Sequence, residues 1–171
     1  MIMLLLGGNY PRHHQWLREL GAVLESAGHK VFLHDYAHWN TGAPLADIDT
    51  EVARVQQTIG TEKDYVIIAK SIGTVIATIA INHGMLRPQK CLLLGTPITG
   101  IAGDTPAFAP SLAALPRTVF VQNEHDPYGS ADTLNTFLQT YHPAVYELDV
   151  VFNNYTHDYV DFEQIRRYFK K

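Results

Sequence analysis

The sequence predicts an α/β fold, a mainly parallel sheet of about six strands sandwiched between two layers of helices. Three observations carry that prediction. Short apolar runs alternate with helical patterns along the whole chain, as crossover helices between parallel strands require. The runs, such as Val66-Ile67-Ile68-Ala69, are short enough to be buried strands, and one apolar stretch, from Ile72 onward, is too long to be one. Finally, 171 residues suffice for a single domain, residues 1–171, in which a central sheet is covered on both faces.

The elements follow in order. Ile2 to Leu6 form the first strand, and residues 12–27 a helix with Trp16, Leu17, Leu20, Val23, Leu24 and Ala27 on one face and Gly28 at its end. Residues 31–34 are the second strand. The next helix starts near Asp47, with Ile48, Val52, Val55 and Ile59 on its apolar face and Asp47, Asp49 and Glu51 at the positive end of its dipole. The third strand spans 66–69, and the apolar helix after it runs to about Asn82. Residues 91–94 are the fourth strand. Four prolines and three glycines make 95–116 an irregular connection with one short helix. Residues 118–122 are the fifth strand, and Ser130 caps a helix whose Leu134, Phe137, Leu138 and Tyr141 share a face. An alternating strand over 145–151 and a helix over 160–168 complete the pattern. Arg166, Arg167, Lys170 and Lys171 sit where that helix ends and its dipole favours cations.

Composition narrows the function. An apolar fraction of 46% and a charged fraction of 18% exclude wholesale disorder. Net charge is −4 and the basic residues form no stripe, so a nucleic-acid partner is not expected. The single cysteine, Cys91, has no internal disulfide partner and reads as a core residue. The apolar start lacks a basic flank and is interrupted by Gly7-Gly8-Asn9, so it is not a targeting segment; no stretch reads as a membrane insertion, and a cytoplasmic protein is expected. His34 and His38 lie off any helix face, which argues against a metal site. Gly7-Gly8 does not complete a dinucleotide fingerprint, and no phosphate loop exists. Lys70 is expected to be solvated, while His13 and His14 start a helix near the site developed below.

Between the third strand and its helix stands Ala69-Lys70-Ser71-Ile72-Gly73, one residue away from the G-x-S-x-G nucleophile elbow. That elbow needs small residues because strand and helix nearly touch, and Ala69 is small enough. A serine hydroxyl becomes a nucleophile when a histidine takes its proton, and an acid must hold that histidine. The elbow predicts the order Ser, acid, His. Asp126, after the fifth strand, fits the acid, with Glu124 as substitute; His157, after the sixth, fits the base. The plainer readings are a helix N-cap for Ser71, a turn before Pro127 for Asp126, and a surface loop for His157.

On these residues the chain resembles a small, lid-less α/β-hydrolase of the serine esterase type over nearly its whole length. The resemblance implies a minimal version of that fold, with strand order 2-1-3-4-5-6. The first and last helices would cover one face and the others the opposite face. It implies an oxyanion hole made by the backbone N–H groups of Ile72 and Asn9, with Gly8 close behind, although Gly7 stands where the family has histidine. Gly8, Tyr10 and His13 become substrate-pocket candidates. The implied activity is hydrolysis of a carboxylic ester or related small-molecule acyl substrate, with no cofactor. Larger relatives insert a lid after the fourth strand; here 95–116 is too short for a separate lid domain, and Phe108, Leu112 and Leu115 would form a small apolar flap. Two rival readings are a fold whose triad is idle and whose work is binding, and a flavodoxin-like binder.

Overall fold

A computed structural model describes residues 1–141 and 143–169. Six strands, β1 (Ile2–Leu6), β2 (Lys30–His34), β3 (Tyr65–Lys70), β4 (Lys90–Leu94), β5 (Arg117–Asn123) and β6 (Tyr146–Val151), form one sheet in the order β2-β1-β3-β4-β5-β6. Every neighbouring pair is parallel. The helices are α1 (His13–Ser26), α2 (His38–Thr41), α3 (Ile48–Ile59), α4 (Ile72–Asn82), α5 (Phe108–Ser111), α6 (Ala131–Tyr141) and α7 (Phe162–Arg167). The chain starts inside the sheet, turns one way to β2, then crosses back to β3 and steps outward. That reversal opens a crevice beyond the carboxyl ends of β1 and β3, where ligands of such sheets bind.

Strand alternation divides the core into two layers. Leu4, Leu6, Ile67 and Ala69 face α3, α4 and α6, whereas Met3, Leu5, Val66 and Ile68 face α1 and α7. This is the distribution of helices that right-handed crossovers demand for this strand order. On α1, Leu17, Leu20 and Leu24 are fully buried, each side chain contributing about 1.5–3 kcal/mol. Local signals set the helix starts: Asp47 accepts the Thr50 N–H at 2.8 Å, Asp161 that of Gln164 at 2.9 Å, and Ser130 that of Thr133 at 3.2 Å. The Asp161 cap starts α7 two residues later than the apolar pattern suggested and leaves Val160 exposed. Lys170 and Lys171 lie outside the described residues.

One expectation fails in the connection after β4. Phe108, Leu112 and Leu115 are buried in the core and form no flap. Their spacing makes one apolar stripe across α5 and the turn Leu112–Ala114. That stripe covers α4, whose ten residues from Ile72 to Ile81 are all buried and so must be packed on every side. Cys91 is also buried, and burial pushes its thiol up to about 12, which makes it a core residue rather than a reactive one. Among the described residues no helix is long and apolar enough to cross a membrane.

Candidate functional site

Ser71 leaves β3 with φ 55° and ψ −125°, a conformation that residues other than glycine rarely hold. Its surroundings impose it. The Ser71 N–H donates to the Leu94 carbonyl at 2.9 Å, and the Ser71 carbonyl accepts both the N–H (2.9 Å) and the hydroxyl (2.7 Å) of Thr74. Two residues on, a Cβ at Gly73 would fall 2.8 Å from the Gly7 carbonyl oxygen and 2.9 Å from Leu6 Cβ. Glycine is therefore what lets α4 begin against the end of β1. The Ile72 N–H belongs to the first turn of α4, where amides lack an intrahelical acceptor.

Asp126 lies in the turn after β5 and is 3% exposed. Its carboxylate accepts the Tyr128 N–H at 2.8 Å, the Tyr159 hydroxyl at 2.7 Å, and His157 Nδ1 at 2.7 and 3.0 Å. A carboxylate on Nδ1 fixes the imidazole's tautomer and leaves Nε2 as the basic nitrogen. His157 Nε2 is buried and has no hydrogen-bond partner. The ring is held between Tyr128, with centroids 4.7 Å apart, and Tyr159, at 5.9 Å. Its loop is tied down on both sides: Asn123 Nδ2 donates to the carbonyls of Thr156 (2.8 Å) and Asp158 (3.2 Å), and His125 N–H donates to Asn154 O at 2.9 Å. Gly95, with φ 59°, leaves the room this packing needs, since a Cβ there would meet the Tyr159 ring at 2.4 Å.

The loop after β1 completes the site. The Gly7 carbonyl accepts the buried Tyr36 hydroxyl at 2.7 Å, and the Asn9 carbonyl accepts His38 Nε2 at 2.6 Å and Trp39 Nε1 at 2.9 Å. The Asn9 side chain bonds Pro44 O and the Ala46 N–H. A cavity of about 100 Å³ opens here, lined by Asn9, Tyr10, His13, Ser71 and His157, with Leu45, Pro97, Ile101 and Tyr128 among its apolar walls. Ser71, Asp126, His157 and Asn9 thus converge, although no hydrogen bond joins Ser71 to His157. Tyr10 and His13 line the cavity, and Gly8 lies behind His13, with room for no Cβ beside its Nδ1. Burial first, and then the charge of Lys70, push His13 down to about 4, so its imidazole is neutral at ordinary pH. Glu124 faces elsewhere and accepts the Asn153 N–H at 2.7 Å.

Lys70 contradicts its expected solvation, being 2% exposed. It follows Val66 and Ile68 on the face turned to α1, and its Nζ stands 5.7 Å from the Trp16 ring centroid. Three further histidines are engaged by neighbours instead. His34 bonds Glu51 (2.9 Å) and Thr58 (2.7 Å), His38 bonds Asn9, and His14 pairs with Asp35 at 3.1 Å outside the cavity. No group of three or more metal-ligating side chains occurs among the described residues. Sequence reasoning missed Asn123 and Tyr159, whose signals were faint: a polar residue ending a buried strand, and a tyrosine two places after the histidine.

No protein-family model and no curated protein matches this chain. Solved structures do match. An uncharacterised protein from Bacillus cereus superposes with a TM-score of 0.77 at 14% identity, over 99% of this chain and 58% of its own, so this chain spans well under two thirds of that protein. An α/β serine hydrolase homologue from Coxiella burnetii gives 0.73 at 14% identity, over 98% of this chain and 82% of its own. An α/β serine hydrolase without a lid, from Xanthomonas campestris, gives 0.66 at 15% identity, over 91% and 72%. These likenesses establish the α/β-hydrolase fold, with its all-parallel sheet in the order 2-1-3-4-5-6.

Proposed function

We propose that this chain is a serine hydrolase that cleaves a carboxylic ester or related acyl substrate through an acyl-enzyme on Ser71. The observation that carries the reading is the pairing of His157 Nδ1 with Asp126 at 2.7 Å while Nε2 is left without a partner, in a ring that lines the same cavity as Ser71 on its strained turn. An N-cap serine would need no such backbone, and a surface histidine no buried carboxylate.

His157 Nε2 takes the Ser71 hydroxyl proton as Oγ forms its bond to the acyl carbon, and the carbonyl electrons move onto the oxygen. The amides of Ile72 and Asn9 hold that oxyanion, worth about 3 kcal/mol for each well-placed donor. Collapse breaks the bond to the leaving group, which departs with the proton from His157. Water then gives a proton to His157 and adds to the acyl carbon; the acid leaves and Ser71 regains its proton. The missing Ser71–His157 hydrogen bond suits a resting site, because such contacts tighten with substrate.

Incubation with a fluorophosphonate probe followed by intact mass measurement tests this. One adduct on the native protein, absent from Ser71→Ala and suppressed in His157→Ala, is the expected result. A folded native protein that takes no adduct would instead favour a binding protein with an idle triad.

A further inference from the structure

The two helices that open onto the cavity, α1 with Arg12 and His13 and α4 with Ser71, begin without negative charge. By contrast α3 is capped by Asp47 and carries Asp49 and Glu51 in its first turn, α6 has Asp132 behind Ser130, and α7 has Glu163 behind Asp161. Neither α1 nor α4 has an acidic residue there or a side-chain cap. Carboxylates stabilise that end of a helix, so both dipoles stand uncompensated at the crevice. At α4 this suits the oxyanion proposed for the Ile72 amide. At α1 it is joined by a full charge.

Arg12 is exposed, lines the cavity and stands over the Tyr10 ring, 5.1 Å from its centroid. Among the described residues no ion pair within 4.0 Å joins it to a carboxylate. An arginine resting on a ring face keeps the edge of its guanidinium free, and that edge meets a carboxylate with two parallel hydrogen bonds. His13, next to it on the cavity wall, is 8% exposed, and its Nδ1 has no hydrogen-bond partner. Burial first, and then the charges of Lys70 and Arg12, keep its imidazole neutral, so the start of α1 lies in a positive field. Asp158 is the acidic side chain on the cavity wall and comes from the loop after β6.

We infer that the acyl substrate carries, besides its reacting carbonyl, one carboxylate that Arg12 holds at the exposed side of the cavity, which makes Arg12 a specificity-determining residue. This rests on the proposed role of Ser71 as nucleophile. One guanidinium, with Asp158 opposing it, suits a single negative charge better than a dianion such as a phosphate monoester. Tyr10, Leu45 and Tyr128 line the cavity yet are 49%, 59% and 45% exposed, so methylene carbons suit the stretch between ester and carboxylate. The half-ester of a dicarboxylic acid carries the charge on the acyl half, and the ester of a hydroxy acid carries it on the alcohol half. In either case the carboxylate is bound and makes or breaks no bond.

Binding to Ser71→Ala, followed by NMR titration, reads the inference without turnover. Monomethyl glutarate is compared with its isosteric amide, methyl glutaramate, and with a trimethylammonium ester of similar length. The pair γ-acetoxybutyrate and its amide places the charge on the alcohol half. In one of the two pairs the anion should bind about tenfold tighter than the amide, as expected for a charge-assisted pair. Arg12→Gln in the same background should bring that ratio below about threefold, with Arg12→Lys between, because lysine keeps the charge without the fork. Arg12 is exposed, so neither substitution endangers the fold. Should Ser71→Ala fail to fold, His157→Gln serves as the inert background. The native protein should show the same order in kcat/KM. Equal affinity for anion and amide in both pairs overturns the inference, as does a preference that survives Arg12→Gln. Tightest binding of the trimethylammonium ester also overturns it and makes Asp158 the recognising group. An Arg12-dependent preference in a native protein that takes no fluorophosphonate adduct overturns the hydrolase reading alone.

Discussion

Two loops meet at Ser71, and they are built in opposite ways. The loop after β1 springs from an inner strand; Gly7, Gly8 and Asn9 are buried, and its carbonyls are held by Tyr36, His38 and Trp39 from the far side of β2. The loop after β6 hangs from an edge strand, with Phe152, Tyr155 and Val160 exposed at 72%, 69% and 63%. It is held by polar bonds from the end of β5, chiefly those of Asn123, Glu124 and Asp126. The first loop is fixed redundantly by neighbours in a packed core; the second has polar clamps and one buried aromatic, Tyr159, while its other large apolar side chains stay exposed. Regions of the second kind open locally at lower free energy. On the proposed reading, the His157 side should therefore be the fragile half of the site and the Asn9 side the robust half.

The sharpest way to break that contrast is Asn123→Ala. It removes both clamps on the carbonyls flanking His157, part-buried bonds worth about 1 kcal/mol each. With an ester substrate, kcat should fall ~10- to 100-fold while KM changes less than ~3-fold, because the loss falls on proton transfer rather than binding. Tyr36→Phe is the matching lesion on the other side. It leaves the buried Gly7 carbonyl without this donor, at about 1–3 kcal/mol of stability, but β1 and the Asn9 anchors still hold the loop in place, so kcat/KM should fall only ~3- to 10-fold. Steady-state kinetics with thermal melts on both variants decide the matter; a larger loss of activity from Tyr36→Phe would reverse the ranking. The smallest effect concerns His13, whose folded value is about 4 against 6.5 in a free chain. Between those values the unfolded chain binds more protons, so the fold loses stability as pH drops from about 6.5 to about 4. After allowance for solvent screening, the loss is on the order of 1–2 kcal/mol. Melts of His13→Gln should show a flatter pH dependence than native protein over that window.

The legible parts of this molecule were those set by local chemistry. Apolar runs marked all six strands, Asp47 and Ser130 marked helix starts, and Ser71 with Gly73 marked the elbow because close strand–helix contact demands small residues. What escaped depends on distant partners. Lys70 reads as solvated until its register with Val66 and Ile68 puts it on the covered face of β3. The stripe of Phe108, Leu112 and Leu115 reads as a flap until α4 proves apolar all round and in need of cover. Asn123 and Tyr159 are ordinary residues whose roles exist only once the loop after β6 folds back over the end of β5.

The all-parallel sheet has a consequence for how such a site comes into being. Its partners are far apart in the chain: 31 residues separate His157 from Asp126, and 143 separate Trp16 from Tyr159. Contacts of that range close slowly, because the loop entropy is spent before the contact forms. During synthesis Ser71 emerges well before its base, and the edge strand that delivers His157 docks onto β5 after the inner strands exist to receive it. On the proposed mechanism, the serine would thus stay inert through the vulnerable, partly folded stages, and reactivity would coincide with completion of the fold.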